Sequence, residues 1–191
     1  LNRKLLAARE DLVKKIAQIA KRKNLTLFAF INETLEQLLK SEEKGVPLPQ
    51  IVEEYFILKT AKEAGFNLTP ESLFHGLLEK VFQKDDRALR EAWRDMGGWF
   101  GKYFKTLYSN QDSLKLIEKV MRTILWEASD FSLTKDGEEV YLRCIGSRCP
   151  ASHTLLLSAL LSGFMEAFDY TPVRKDLARG IISLTFVKRR E

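Results

Sequence analysis

The sequence predicts an α+β protein that is mostly helical: a short strand and two helices at the N-terminus, then a helical domain carrying antiparallel β-hairpins. Three observations lead there. Apolar residues recur at three- and four-residue intervals through residues 12–39 and again across much of 50–127. Asp136-Gly137, a strong turn dipeptide, separates Phe131 and Leu133 from Val140 and Leu142. Gly180 divides two further candidate strands, about 171–178 and 181–188, which follow a long apolar helix at about 151–168.

The chain has 191 residues, of which 45% are hydrophobic and 30% charged, a globular composition with room for one ordinary domain and a small module. No apolar run approaches the roughly 20 residues of a membrane span, and LNRKLLAARE lacks a secretory apolar core, so no membrane partner and a cytoplasmic location are expected. Abundant Lys, Arg and Glu beside few Asn and Gln fit a thermophilic, archaeal source.

In chain order, residues 3–9 (RKLLAAR) suit one extended segment, too short to be stable without a second strand. Leu12, Ile16, Ile19 and Ala20 then line one side of an amphipathic helix whose other sides carry Lys14, Lys15, Lys21 and Arg22. Asn24 ends it, and Thr26 caps a second helix with a wide apolar stripe of Leu27, Phe30, Ile31, Thr34, Leu35, Leu38 and Leu39. Two short helices cannot bury stripes this wide against each other, so a partner surface, most simply a second copy, is implied. Residues 41–50 (SEEKGVPLPQ) combine charge, Gly45, Pro47 and Pro49 and read as a linker between a module at 1–44 and a domain at 45–191. Helices follow near 50–64, 70–82 (after Thr69-Pro70-Glu71), 85–108 and 111–127.

Charge is segregated. Residues 1–30 carry eight basic and two acidic side chains, a net +6 that exceeds the +5 of the whole chain and leaves the remainder at −1. Such asymmetry is the footprint of a segment that meets a polyanion, or of a solvated helix face. The order of strand, basic helix, capped turn and second helix over residues 3–41 resembles the ribbon-helix-helix DNA-binding module of the Arc/MetJ/CopG type. That resemblance implies a homodimer whose paired strands enter the major groove of double-stranded DNA, with Arg3, Leu5 and Ala7 on the outward face. It also implies a phosphate at the N-terminus of the second helix, around Thr26 and its hydroxyl, and Arg3, Lys21, Arg22 and Lys23 can hold the DNA backbone beside it. Shifting the strand by one residue turns Lys4, Leu6 and Ala8 outward instead. Leu5 and Ala7 can offer a thymine methyl a contact but no bidentate hydrogen bond, so either the phosphate contacts dominate or the module only clasps two chains together.

From about residue 70 onward, AWRDMGGWFGKYF (92–104), HTLLLSALLSGFMEAFDY (153–170) and VRKDLARGIISLTF (173–186) resemble the 4-vinyl reductase domain, which is related to the heme-nitric-oxide-binding and TRAPP-subunit folds. The resemblance implies a domain that binds a small apolar ligand. Gly97, Gly98 and Gly101 each weaken a helix by roughly 1 kcal/mol, which close packing of another backbone, or space for a ligand, can offset. Trp93, Trp99, Phe100, Tyr103 and Phe104 flank those glycines and, with Met121, Trp126, Phe164 and Phe168, are the candidate ligand-binding set. Taken singly, each suits the filling of a core better than the lining of a pocket.

Cys144, Cys149 and His153 form a C-x4-C-x3-H array with three visible ligands, one short of a closed zinc site, and the hairpin cysteines that bind zinc in some members of the resembled family are replaced by Asp176 and Leu184. No metal and no cofactor are therefore expected; Cys144 and Cys149 remain a candidate redox pair. Around His75 and His153, the two histidines of the chain, no nucleophile-base set is visible, and there is no phosphate-binding glycine motif, so an enzyme is not expected. The expected function is a dimeric DNA-binding transcription regulator that senses a small apolar molecule. The alternative is an interaction or assembly scaffold whose N-terminal module only dimerises.

Overall fold

The computed structural model describes residues 4–110 and 112–189. Contacts divide the chain into residues 1–55 and 56–191, a division that falls inside a helix, beyond the predicted linker at 41–50.

In the N-terminal unit, α1 (Glu10–Arg22) and α2 (Leu27–Glu43) are joined by a tight turn in which Asn24 takes the left-handed conformation at φ 56°. The Thr26 hydroxyl accepts a 3.1 Å hydrogen bond from the Ala29 amide, as expected of an N-cap. Gly45, at φ 71°, closes α2 before α3 (Leu48–Glu63) begins. The strand expected at 3–9 is not formed in a single chain: residues 4–9 hold no regular structure, and Arg3 lies outside the described residues. A ribbon needs a second strand to satisfy its amides, and one chain supplies none.

The C-terminal unit contains the end of α3, then α4 (Glu71–Phe82), α5 (Asp86–Leu107), α6 (Ser113–Ile124), β1 (Asp130–Asp136), β2 (Glu139–Ile145), α7 (Ala151–Glu166), β3 (Tyr170–Ala178) and β4 (Ile181–Lys188). The expected helix at 111–127 ends at Ile124, with Leu125 closing it by a backbone bond to Met121. The expected α7 ends at Glu166 because Asp169 turns the chain in the left-handed region. Both hairpins form on two-residue loops, with Gly137 at φ 57° and Gly180 at φ 73°. β2 and β4 pair antiparallel and fuse the hairpins into one sheet of order β1-β2-β4-β3.

Alternate residues of the two central strands, Val140, Leu142 and Cys144 with Ile182, Leu184 and Phe186, turn inward. They share one core with Phe131, Leu116, Ile117, Val120 and Met121. α7 is buried nearly all round, and Thr154, Ser158 and Ser162 bond carbonyls of its own chain nearby, whereas Ser152 reaches across to Glu79 of α4. Ser158 donates to the Leu155 carbonyl, Ser162 to the Ser158 carbonyl, and Thr154 to the Pro150 carbonyl. The Thr154 oxygen also receives the Gly180 amide at 2.9 Å, tying the second hairpin to the start of α7.

Two of the three α5 glycines, Gly97 and Gly101, are required by α7, whereas a Cβ on Gly98 would make only an ordinary 3.7 Å contact with the Gly163 carbonyl oxygen. A Cβ on Gly97 would lie 2.0 Å from the Leu160 carbonyl oxygen, and one on Gly163 1.9 Å from that of Arg94. Gly101 faces Ala167 and the Phe164 backbone in the same way. Of the two explanations open in the sequence, close packing of another backbone is the one observed. The lost helix propensity, roughly 1 kcal/mol per glycine, is offset by backbone and side-chain contact along the crossing.

Candidate functional site

Of residues 4–55, only Ala20 and Ser41 are buried. Leu12, Phe28, Leu38 and Leu39, all taken from the predicted helices, remain exposed, as do Leu5 and Leu6 of the N-terminal arm. Lys21, Arg22 and Lys23 cluster at the last turn of α1, where cations also favour the helix dipole, and Lys23 sits 5.2 Å from the Phe30 ring centroid. Thr26 follows within three residues. Its oxygen is used by the cap, which leaves its proton to donate. Ala7 is exposed and Leu5 fully so, and both lie in the unpaired arm.

Ring contacts link most of the aromatic set, from Trp99 to Phe100 and Tyr103, from Tyr103 to Phe104, and on through Phe164 to Phe168, while Trp93 and Trp126 fall outside that chain. Phe100, Phe104, Met121, Phe164 and Phe168 are buried in the core, where Phe164 and Phe168 stack with centroids 5.5 Å apart. Trp99 is half-exposed and stacks on Tyr103 at 5.4 Å and 8°. Trp126 is half-exposed in the turn after α6, its indole donating to the Thr123 carbonyl, and is not part of the Trp99 group. Trp93 belongs elsewhere: its ring lies edge-on to His153 with centroids 5.6 Å apart.

That contact leads to a cluster the sequence only half discloses. Pro150 starts α7, so Cys149 sits in the turn before the helix and His153 in its first turn. α4 brings His75 alongside, and His75 Nε2 lies 2.8 Å from His153 Nδ1. Ligating atoms of His75, Cys149 and His153 all fall within 4.8 Å of one another. The other His153 nitrogen, Nε2, faces a Glu127 carboxylate oxygen at 3.7 Å. Phe74 and Trp93 wall the pair with ring contacts at 5.3 and 5.6 Å. Next to it, Ser152 donates to Glu79 and Arg148 pairs with Glu71, which hold α4 to the α7 entrance.

Burial sets the protonation states. It pushes His153 down to about 4, with the neighbouring His75 adding to the effect, so the imidazole is neutral near pH 7. Burial, reinforced by Glu127, pushes the Cys149 thiol up to about 11 and that of Cys144 up to about 12. Both cysteines are free thiols. Cys144 lies mid-strand, opposite Phe131 and Ile182. The C-x4-C-x3-H array thus contributes two of its three members, and His75, 78 positions before His153, takes the place assigned to Cys144. The available signal was the chain's two histidines; nothing local to either indicated that they meet.

A second feature went unseen in the sequence. A groove of about 470 Å³ is lined by Arg87, Arg90, Arg94, Arg174 and Lys175 with Glu91. Arg90 pairs with Asp86 and Arg94 with Glu166, which consumes much of that charge. The three arginines of α5 repeat at helical spacing inside a region whose net charge is close to zero, so the charge count conceals them.

No family model matches the chain, and no curated protein does. Among solved structures, one similar chain is described as "Probing the function of heme distortion in the H-NOX family"; it is 12% identical at a TM-score of 0.39, over 70% of this chain and 83% of that one.

Proposed function

We propose that the protein is a dimeric DNA-binding transcription regulator, in which the N-terminal unit is completed by a second copy and the C-terminal unit responds to a small apolar molecule. One observation carries the reading: a 52-residue segment, 4–55, that buries two side chains while exposing leucines and a phenylalanine across its first two helices. An isolated unit of that kind cannot offset the conformational entropy of ordering its residues, on the order of 1–2 kcal/mol each. A second copy would cover the stripes and supply the strand that residues 4–9 lack. The cations at the end of α1 and the Thr26 hydroxyl would then flank the paired arms, where phosphates meet them. Leu5 and Ala7 have no hydrogen-bonding side chains, so binding in this proposal is mainly to the backbone and weakly selective.

For the C-terminal unit, the half-exposed Trp99-Tyr103 stack and Trp126 are the members of the aromatic set that an apolar molecule can reach without displacing core side chains. Such a molecule regulates only if it binds two arrangements of the DNA modules with unequal affinity.

Fluorescence anisotropy with random duplex DNA tests the proposal. Binding that weakens steeply between low and moderate salt, and is lost when Lys21, Arg22 and Lys23 are replaced by Glu, is expected. Absence of binding at low salt would overturn the DNA reading. A dimer that persists without DNA affinity would leave the scaffold as the function.

A further inference from the structure

We propose that His75, Cys149 and His153 bind one divalent metal ion of the zinc class, in a three-ligand site with one open coordination position. The proposal stands independently of the DNA-binding reading, since it rests on the C-terminal unit alone.

The donor set selects the metal. Two imidazoles and one thiolate are borderline-to-soft ligands, suited to zinc and its analogue cobalt and poorly suited to magnesium or calcium. At zinc distances of about 2.0–2.1 Å to nitrogen and 2.3 Å to sulfur, tetrahedral ligands stand roughly 3.3–3.6 Å apart. The present atoms span 2.8 Å, for the histidine pair, to at most 4.8 Å. A change of about 1 Å in these separations, an opening of the His75-His153 pair and an inward shift of a side chain, would bring them to that spacing.

The surroundings fit as well. His153 presents Nδ1 to His75, which leaves Nε2 to Glu127 at 3.7 Å. That distance is too long for a hydrogen bond, but an approach of less than about 1 Å would let Nε2–H donate to the carboxylate, as the outer partner of a ligating histidine requires. His153 and Cys149 are 3% and 2% exposed, whereas His75 is half-buried, so an ion would reach the site from the α4 side. On binding, the thiol proton of Cys149 leaves to solvent and sulfur donates as thiolate, so the site takes up the ion with release of one proton. With three protein ligands, the fourth position faces water or an exogenous ligand, as in zinc sites that do more than hold a fold together. A closed structural site would need a fourth protein donor, and among the described residues no further His, Cys, Asp or Glu joins these three at that spacing.

The experiment uses the full chain, stripped with chelator and titrated with cobalt(II). Uptake of one cobalt per chain is expected, with intense visible bands of a four-coordinate ion, a near-ultraviolet thiolate-to-cobalt charge-transfer band, and quenching of Trp93. Cys149→Ser should abolish the charge-transfer band, and His75→Ala should weaken binding at least ~100-fold, the high end for loss of a group at a metal site. Glu127→Gln should weaken it by about 10-fold, the low end for an outer partner. His75 is half-buried, so its variant decides the matter if the Cys149 variant fails to fold. No uptake at micromolar cobalt, a spectrum without the thiolate band, or equal affinity in wild type and His75→Ala would each overturn the proposal.

Discussion

The two units of this chain solve the burial problem in opposite ways. Residues 56–191 bury an apolar helix almost completely and bring two helix backbones into contact through Gly97, Gly101 and Gly163. Residues 4–55 carry comparable apolar stripes and bury one alanine and one serine. A segment with enough apolar side chains but no surface to cover them is incomplete as one copy. Apolar content alone therefore does not distinguish a core from an interface; the geometry available to cover it does.

The two units should differ most at Phe104 and Phe28. Phe104 is fully buried and Phe28 is 58% exposed, so Phe104→Ala should cost the C-terminal unit about 3–5 kcal/mol. Phe28→Ala should leave that unit's unfolding unchanged and lower the dimerisation affinity. Chemical denaturation followed at the Trp93 and Trp99 signals reads the first effect, and sedimentation the second. Equal effects of the two changes on unfolding would erase the distinction between the units.

Acid sharpens the contrast. The folded His153 titrates near 4 against 6.5 when unfolded, so between those values the unfolded chain binds more protons. Stability of the metal-free C-terminal unit should be full above about pH 6.5 and decline as pH falls toward 4, by up to about 3 kcal/mol. His75 and Glu127 face the same imidazole. His153→Gln should flatten the profile, and an unchanged profile in that variant would show that other groups set it.

A smaller effect tests the helix crossing. Gly163→Ala should destabilise by about 1–3 kcal/mol through the clash with the Arg94 carbonyl. Gly76→Ala, with nothing near its Cβ, should stabilise α4 by roughly 0.5–1 kcal/mol. Smaller still, Thr26→Ala removes the cap of α2 and should cost about 1 kcal/mol, visible as weaker dimerisation rather than as altered unfolding of residues 56–191.

How much of this was legible follows from the range of each signal. Helix starts at Thr26 and after Pro150, and the turns at Gly137 and Gly180, are encoded within a few residues and appear where the pattern puts them. The β2-β4 pairing joins two hairpins across α7, and no local pattern specifies which strands meet. The glycines announced a special packing, but its partner, Gly163, lies 66 residues after Gly97 in a helix that reads simply as apolar. The histidine cluster was hidden for the same reason. Cys149 and His153 are neighbours in sequence, whereas His75 arrives only when α4 docks beside α7.

The central claim, that the first 55 residues are completed by a second copy, is tested most directly by sedimentation equilibrium of the intact chain at micromolar concentration. A species of twice the 22.0 kDa chain mass is expected, dissociating when Leu12, Phe28 and Leu39 are made polar. A folded 22.0 kDa monomer whose α1 and α2 amides are already protected from hydrogen exchange would contradict it.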